Sequence, residues 1–300
     1  MKQLLIKLNV ATLLLMVFSF HCMGSNTYTF EYKLEKGKSY MQNMVTDLNM
    51  KMDFMGQAMD MIMKSEMIIQ NDVLDQSNGV FDLRTSYKRI KMSMFSPMPF
   101  TIDSDSPESF YDRSLGDVLK SLTEVSMDIK LTKLGKVISV EGADKMFEKI
   151  DAMGNEQFKQ MFGQQFSEDA IKAMYNQMTP LFPEKPVAIG TSWDVTMNIN
   201  AGGADVINKM ILTLKEVKDN VATIECTGTI ETPEGGVVVQ MQGMDSNVSV
   251  NGTQSGTILI DMKSGWIVRS EITQKFTQNV EFMGQAMQQI IESKTTVTAD

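Results

Sequence analysis

Long stretches of this chain alternate apolar and polar residues with a period of two. That pattern constrains the fold more than any other, because successive side chains of an extended strand point to opposite faces. In the run Val221 to Glu231, Ala222, Ile224, Cys226, Gly228 and Ile230 share one face, and Thr223, Glu225, Thr227, Thr229 and Glu231 the other. One dry and one wet face marks an antiparallel strand. Trp266 to Phe282 repeats the pattern at greater length. Val268, Ile272, Phe276, Val280 and Phe282 share a face with Ser270, Gln274 and Gln278, opposite Arg269, Glu271, Thr273, Lys275, Asn279 and Glu281. Seventeen extended residues span roughly 56 Å at about 3.3 Å each, so a strongly curved sheet is expected, bent by twist or a bulge.

Turn residues punctuate these runs at Ser77-Asn78-Gly79, Leu134-Gly135-Lys136, Asp219-Asn220, Pro233-Glu234-Gly235-Gly236 and Lys263-Ser264-Gly265, and they predict hairpins. Phe54-Met55-Gly56-Gln57-Ala58-Met59 recurs letter for letter as Phe282-Met283-Gly284-Gln285-Ala286-Met287. Gly followed by Gln suits a two-residue type II′ turn, so each copy reads as a hairpin tip with glycine at the first central position. Gly37-Lys38-Ser39-Tyr40 resembles Gly190-Thr191-Ser192-Trp193, and Ile129 to Val140 around Gly135 resembles Ile258 to Ser270 around Gly265. All three likenesses are read as one duplication. Methionine and alanine also favour a helix over Gln57 to Met67, but the second copy runs on into Ser293-Lys294-Thr295-Thr296-Val297-Thr298, which is strand-like.

The middle of the chain changes period. Ser106-Pro107-Glu108 is a helix start, predicting a helix over Pro107 to Leu122 that breaks near Asp112 to Gly116. Ala143 to Met178 reads as two or three amphipathic helices. Phe147 and Ile150, then Phe158, Met161 and Phe162, then Ile171, Met174, Tyr175 and Met178 after the Ser167 cap, line their apolar faces. Pro180, Pro183 and Pro186 close the region. The expected fold is α+β and β-rich: a long, curved, mainly antiparallel, half-barrel-like sheet from two related halves, with a helical insert. Residues 28–105 form the first half, 106–186 the insert with a hairpin at 125–141, and 187–300 the second half, all in one domain from residue 25.

This layout is similar to an uncharacterised family of bacterial exported, lipoprotein-like β-rich proteins known only as a domain of unknown function. The likeness rests on the leader, the Met-rich hairpin around Gly56, Gly142 leading into helices, and Phe182-Pro183-Glu184-Lys185-Pro186 before Gly190-Thr191-Ser192-Trp193. It implies an architecture and a location, and no activity. Curved antiparallel sheets carrying short helices also look, loosely, like the periplasmic lipoprotein-carrier fold.

The leader is residues 1–24. Lys2 and Lys7 make a positive start, and Val10 to Phe20 an apolar core too short to span a bilayer. Cleavage after Gly24 puts Cys22 and Gly24 at the small-residue positions. The competing reading makes Cys22 a lipidated cysteine; that wants a small residue before it, and Phe20 and His21 stand there. Soluble export to the periplasm or cell envelope is therefore expected ahead of lipid anchoring at Cys22. No later segment is long and apolar enough to span a membrane. Without the leader the formal charge moves from −9 to −11, because Lys2 and Lys7 leave and no acid does. An acidic chain lacking a basic run is a poor binder of nucleic acid or anionic lipid.

Removing the leader also removes His21, the only histidine, and leaves Cys226 as the only cysteine. Ser–His–Asp and Cys–His sites, the usual zinc and iron triads and an internal disulfide are then all excluded. No phosphate-binding glycine loop is present. Asp103, Asp105, Glu108 and Asp112 cluster, but Pro107 interrupts the calcium-loop pattern, and a solvated acidic loop capping a helix accounts for them. No catalytic residue, metal or cofactor is expected. Methionine is abundant, 25 residues after the leader. Met50-x-Met52, Met59-x-Met61-x-Met63 and Met92-x-Met94 place thioethers on single strand faces, which suits soft Cu(I) or, more simply, a plastic core.

Two functional readings follow. The leading one is a non-catalytic envelope protein that binds a hydrophobic or lipid-like ligand between sheet and helices, using Met50, Met52, Phe54, Met61, Met63, Phe276 and Phe282. A solid core with no cavity fits the same residues. The alternative is a structural or partner-binding surface protein that engages an envelope partner through the apolar tips at Phe54 and Phe282.

Overall fold

The computed structural model describes residues 26–54, 57–96, 99–109, 113–152, 171–172, 175, 182–201, 204–241, 244–282 and 285–299. The leader with Cys22, the tip residues Met55, Gly56, Met283 and Gly284, Asp112, and the predicted helical residues Phe158, Met161, Phe162, Ser167, Met174 and Met178 lie outside them.

After the short strand β1 (Thr27–Tyr28), the chain forms β2 (Ser39–Phe54), β3 (Gln57–Ser77), β4 (Val80–Ser96), β5 (Phe100–Asp103), β6 (Ser126–Thr132) and β7 (Val137–Glu141). It then forms β8 (Val187–Ala188), β9 (Ser192–Ala201), β10 (Ala204–Lys218), β11 (Val221–Glu231), β12 (Val237–Met241), β13 (Met244–Asp261), β14 (Ile267–Phe282) and β15 (Gln285–Ala299). β1 pairs with β8, and the other thirteen strands make one antiparallel sheet. Its order is β7-β6-β4-β3-β2-β15-β14-β13-β11-β10-β9, with β5 beside β4 and β12 beside β13. The hairpin expected inside the helical insert is thus an edge of the main sheet.

The two halves, β7-β6-β4-β3-β2 and β14-β13-β11-β10-β9, follow the same course and share details. Gly37 N donates to the Val73 carbonyl (2.8 Å) and Val73 N to that of Lys38 (2.9 Å), as Gly190 N donates to Leu214 (2.7 Å) and Leu214 N to Thr191 (3.0 Å). A register shift follows each, at Val73/Asp75 and Leu214/Glu216. The three sequence likenesses nonetheless do not describe one relation. Gly37/Gly190 and Gly135/Gly265 align β2 with β9 and β6–β7 with β13–β14. The Phe-Met-Gly-Gln-Ala-Met copies instead join β2 to β3 and β14 to β15, two hairpins that lie side by side in the sheet centre.

The alternation becomes buried and exposed faces as expected, with Ala222, Ile224, Cys226 and Ile230 of β11 all buried. On β14 the register shifts between Leu259 and Ile260, so Ile260 faces Ile267. Ile267 is 3% exposed and Val268 38%: the bulge turns the expected core residue outward and its neighbour in. At both repeated tips the pairings Phe54–Gln57 and Phe282–Gln285 leave two residues between strands. Gln57 and Gln285 therefore begin the return strands, where a Gly-Gln turn would have placed them within the loop.

The sheet curls. β6 and β13 stand six strand spacings apart, roughly 29 Å on a flat sheet at about 4.8 Å per step. Yet the adjacent residues Tyr32 and Lys33 donate backbone hydrogen bonds to Lys133 (2.7 Å), in the β6–β7 turn, and to Ser264 (2.8 Å), in the β13–β14 turn. The segment carrying them crosses this base end and seals it with aromatic rings. Phe30 meets Phe182 and Trp193 at 5.9 and 6.0 Å, Tyr32 meets Phe182 and Trp266, and Tyr40 meets Trp266 at 4.9 Å.

Helices fill the concavity near that end. A 3-10 turn (Pro107–Ser109) precedes α1 (Arg113–Leu122), and α2 (Ala143–Ala152) follows β7, so the helix expected from Pro107 to Leu122 is divided. Gly116 sits so close to the turn that a Cβ there would lie 2.2 Å from the Pro107 carbonyl oxygen. Val118, Leu119, Leu122, Ala143 and Met146 are buried in the main core with Ile69, Phe81, Met127, Leu212 and Ile224. Ile171 and Tyr175 join them, the Tyr175 hydroxyl standing 3.5 Å from Asn71 Oδ1, which also accepts from Thr85 (2.7 Å).

Candidate functional site

The opposite end of the sheet, here the rim, carries the turns β2–β3, β9–β10, β12–β13 and β14–β15. A second, smaller core of Val206, Ile230, Val239, Val248, Val250 and Val280 lies toward it on the C-terminal half. Between the two cores, polar side chains cross the inner face. Asn208 and Gln254 are buried, and the Gln254 amide donates to Asn208 Oδ1. The Gln274 amide donates to Gln254 Oε1 (3.2 Å), and the Ser293 hydroxyl to Gln274 Oε1 (3.3 Å). Each buried amide thereby gains a partner, which is what keeps such groups affordable inside a sheet.

The same row continues across the central strands as Leu48, Met63 and Met94, each directly opposite the next. The next row toward the rim reads Gly252, Phe276, Ile291, Met50, Met61, and the one after it Val250, Gln278, Gln289, Met52, Met59. Directly opposed residues of antiparallel strands share a face, and these continue the face of buried Met44 and Ile69. No charged residue stands in the three rows. Charges occupy the other face, where Lys275 meets Glu292 at 3.0 Å.

Five of the seven residues expected to bind a ligand, Met50, Met52, Met61, Met63 and Phe276, are therefore brought together on one uncharged face. Phe54 and Phe282 end their strands beside it, but their side chains lie outside the described residues. Met50, Met52, Met61, Met63 and Met94 are partly exposed and Met59 is 42% exposed. None of the six belongs to either buried cluster or to the residues packed against one, whereas Met44 lies in the main core and Met67 and Met92 pack against it. Sequence reasoning missed Ile291 and the polar row; Gln274 had signalled it, as an unexplained polar break in an apolar face.

The other candidates resolve as structure. Asp103 is 8% exposed, its carboxylate held by the Arg89 guanidinium (Nε to Oδ1 3.1 Å) and by the Asp105 amide (3.1 Å). The Arg89 hydrogen bond holds its pKa below the usual carboxylate value. It is an anchored ion pair, where a solvated loop acid was expected. Cys226 is 1% exposed, and burial pushes its pKa up to about 11, which keeps it a thiol. Among the described residues no group of three or more His, Cys, Asp or Glu could hold a metal ion, and no helix is long and apolar enough to cross a membrane. A shallow groove of about 500 Å³ beside edge strand β9 is lined by Phe182, Pro183, Val187, Trp193 and Val195 among others.

Among solved structures, the fold is similar to that of lipovitellin, in a structure concerned with its lipid–protein interactions. TM-score is 0.52 at 10% identity over 89% of this chain. The chain spans only 25% of lipovitellin's length. Pseudomonas aeruginosa OpdQ matches at TM-score 0.20 and 8% identity, over 83% of this chain and 59% of that one. An outer membrane channel from Pseudomonas putida F1 matches at 0.19 and 6%, over 90% and 97%. No curated protein sequence matches. Residues 78–267, well over half of the chain, match the Family of unknown function (DUF6263), and the chain belongs to that family.

Proposed function

We propose that this is a non-catalytic, exported envelope protein that holds a hydrophobic, lipid-like ligand against the methionine face of its curved sheet. One observation carries the reading: six methionines lie on an uncharged inner face, partly exposed and outside both cores, with Phe276 beside them packed against the smaller core. Left bare, such a face loses the hydrophobic stabilisation that coverage would bring. Methionine is the side chain that adapts to ligands of varied shape. The three rows cover roughly 13 Å along the strands and about 19 Å across five of them, room for an acyl chain. The polar row of Gln254, Gln274 and Ser293 bounds the patch on one side. Fold likeness to lipovitellin accords with a lipid-like ligand, and the leader sequence with export.

Native mass spectrometry and solvent extraction of protein purified from its own host test this. An extractable lipid is expected, along with its loss in a Met50→Gln/Met61→Gln variant of unchanged circular dichroism. Repeated recovery without ligand, together with no uptake of a fluorescent fatty acid, would sink the reading.

A further inference from the structure

We infer that Met50, Met52, Met59 and Met61 form a binding site for a soft monovalent metal ion of the Cu(I) class. The register sets Met50 directly opposite Met61 and Met52 directly opposite Met59. Opposed Cβ atoms in an antiparallel pair stand about 4.5–5.5 Å apart, and the next residue on the same face lies roughly 6.6 Å along the strand. The four side chains thus rise from the corners of a small block. Each carries its sulfur on a flexible, unbranched stem, so the thioethers can converge on one point above the sheet. Met59 is 42% exposed and the other three are partly exposed. Neither core uses them, so turning a sulfur toward an ion leaves both cores intact.

The donor set selects the metal. Thioethers are soft, neutral ligands suited to Cu(I). Hard divalent ions need carboxylates or carbonyl clusters, and no acid stands in these rows. On β15, the same two rows continue as Ile291 and Gln289, so sulfur is concentrated where β2 and β3 face each other. The site uses the ligand face of the proposed function but does not depend on a lipid binding there.

Ag(I), a redox-inert probe of soft sites, can be titrated into the protein carrying ¹³C-labelled methionine methyls, with Cu(I) affinity measured against a bathocuproine competitor. Chemical shifts of the four methyls are expected to move together at one equivalent of Ag(I), and Zn(II) should move none. Replacing all four methionines with leucine keeps the apolar volume and removes the sulfur. That variant should lose at least 100-fold in Cu(I) affinity with unchanged far-ultraviolet circular dichroism; the Met52→Leu/Met59→Leu pair, expected to lose at least 10-fold, serves if the quadruple variant fails to fold. Cys226→Ala should bind Cu(I) like the parent. Unchanged affinity in the leucine variants, or shifts confined to other methionines, overturns the inference. Fatty-acid binding is read separately on the parent protein, where its absence sinks the lipid reading and leaves the metal site standing.

Discussion

Burial decides what Cys226 can do. Enclosed in β11 with its pKa pushed up to about 11, it lacks the thiolate that nucleophilic chemistry needs. In protein lacking residues 1–24, Ellman's reagent at pH 8 should label nothing in the native state and one thiol after denaturation; rapid native labelling would contradict the burial. Asp103 makes the opposite case, a carboxylate kept charged by Arg89. Its folded pKa lies below its unfolded one, so the pair contributes stability above the unfolded value of about 3.9 and loses it as pH falls through the folded pKa. Asp103→Asn should cost about 1.5–3 kcal/mol at pH 7, the range for hydrogen bonds to charged groups. Urea unfolding should show the deficit shrinking below about pH 4. A deficit independent of pH would make the pair irrelevant. The Arg89–Asp103 pair was not legible beforehand, because Arg89 is 14 residues from Asp103 and meets it only through the β4–β5 pairing.

At the scale of elements, close approach explains where alternation and helix signals mislead. Gly116 lets α1 rest on the Pro107 turn. Gly116→Ala should therefore destabilise by about 1–3 kcal/mol, the cost of overpacking, although alanine favours helices. A thermal melt that rose would show that the turn yields. On β13, a Cβ at Gly252 would lie 2.2 Å from that of Phe276, so that glycine is set by its cross-strand neighbour. The β14 bulge was hidden for a related reason. One extra residue changes alternation no more than Ser270 or Gln274 already does, and only pairing with β13 shows that Ile267 replaces Val268 on the inner face.

For the whole molecule, curling brings the base ends of distant strands together under Phe30, Tyr32, Phe182, Trp193 and Trp266. Phe30→Ala should cost about 3–5 kcal/mol, as large-to-small aromatic changes in cores do, and should weaken the near-ultraviolet circular dichroism of the tryptophans. A silent substitution would mean that the seal is not structural. The residues by themselves determined most strands, the dry face of a strand such as β11, and the sulfur-rich face near Gly56, because these depend on neighbours two to four positions away. Tertiary structure alone decided that the β2–β3 and β14–β15 strand pairs lie side by side, that the 125–141 hairpin is a sheet edge, and that Met50, Met52, Met59, Met61 and Met63 stand outside the cores. Those facts rest on contacts between residues far apart in the chain, and a period of two looks the same whether a face ends up packed or bare.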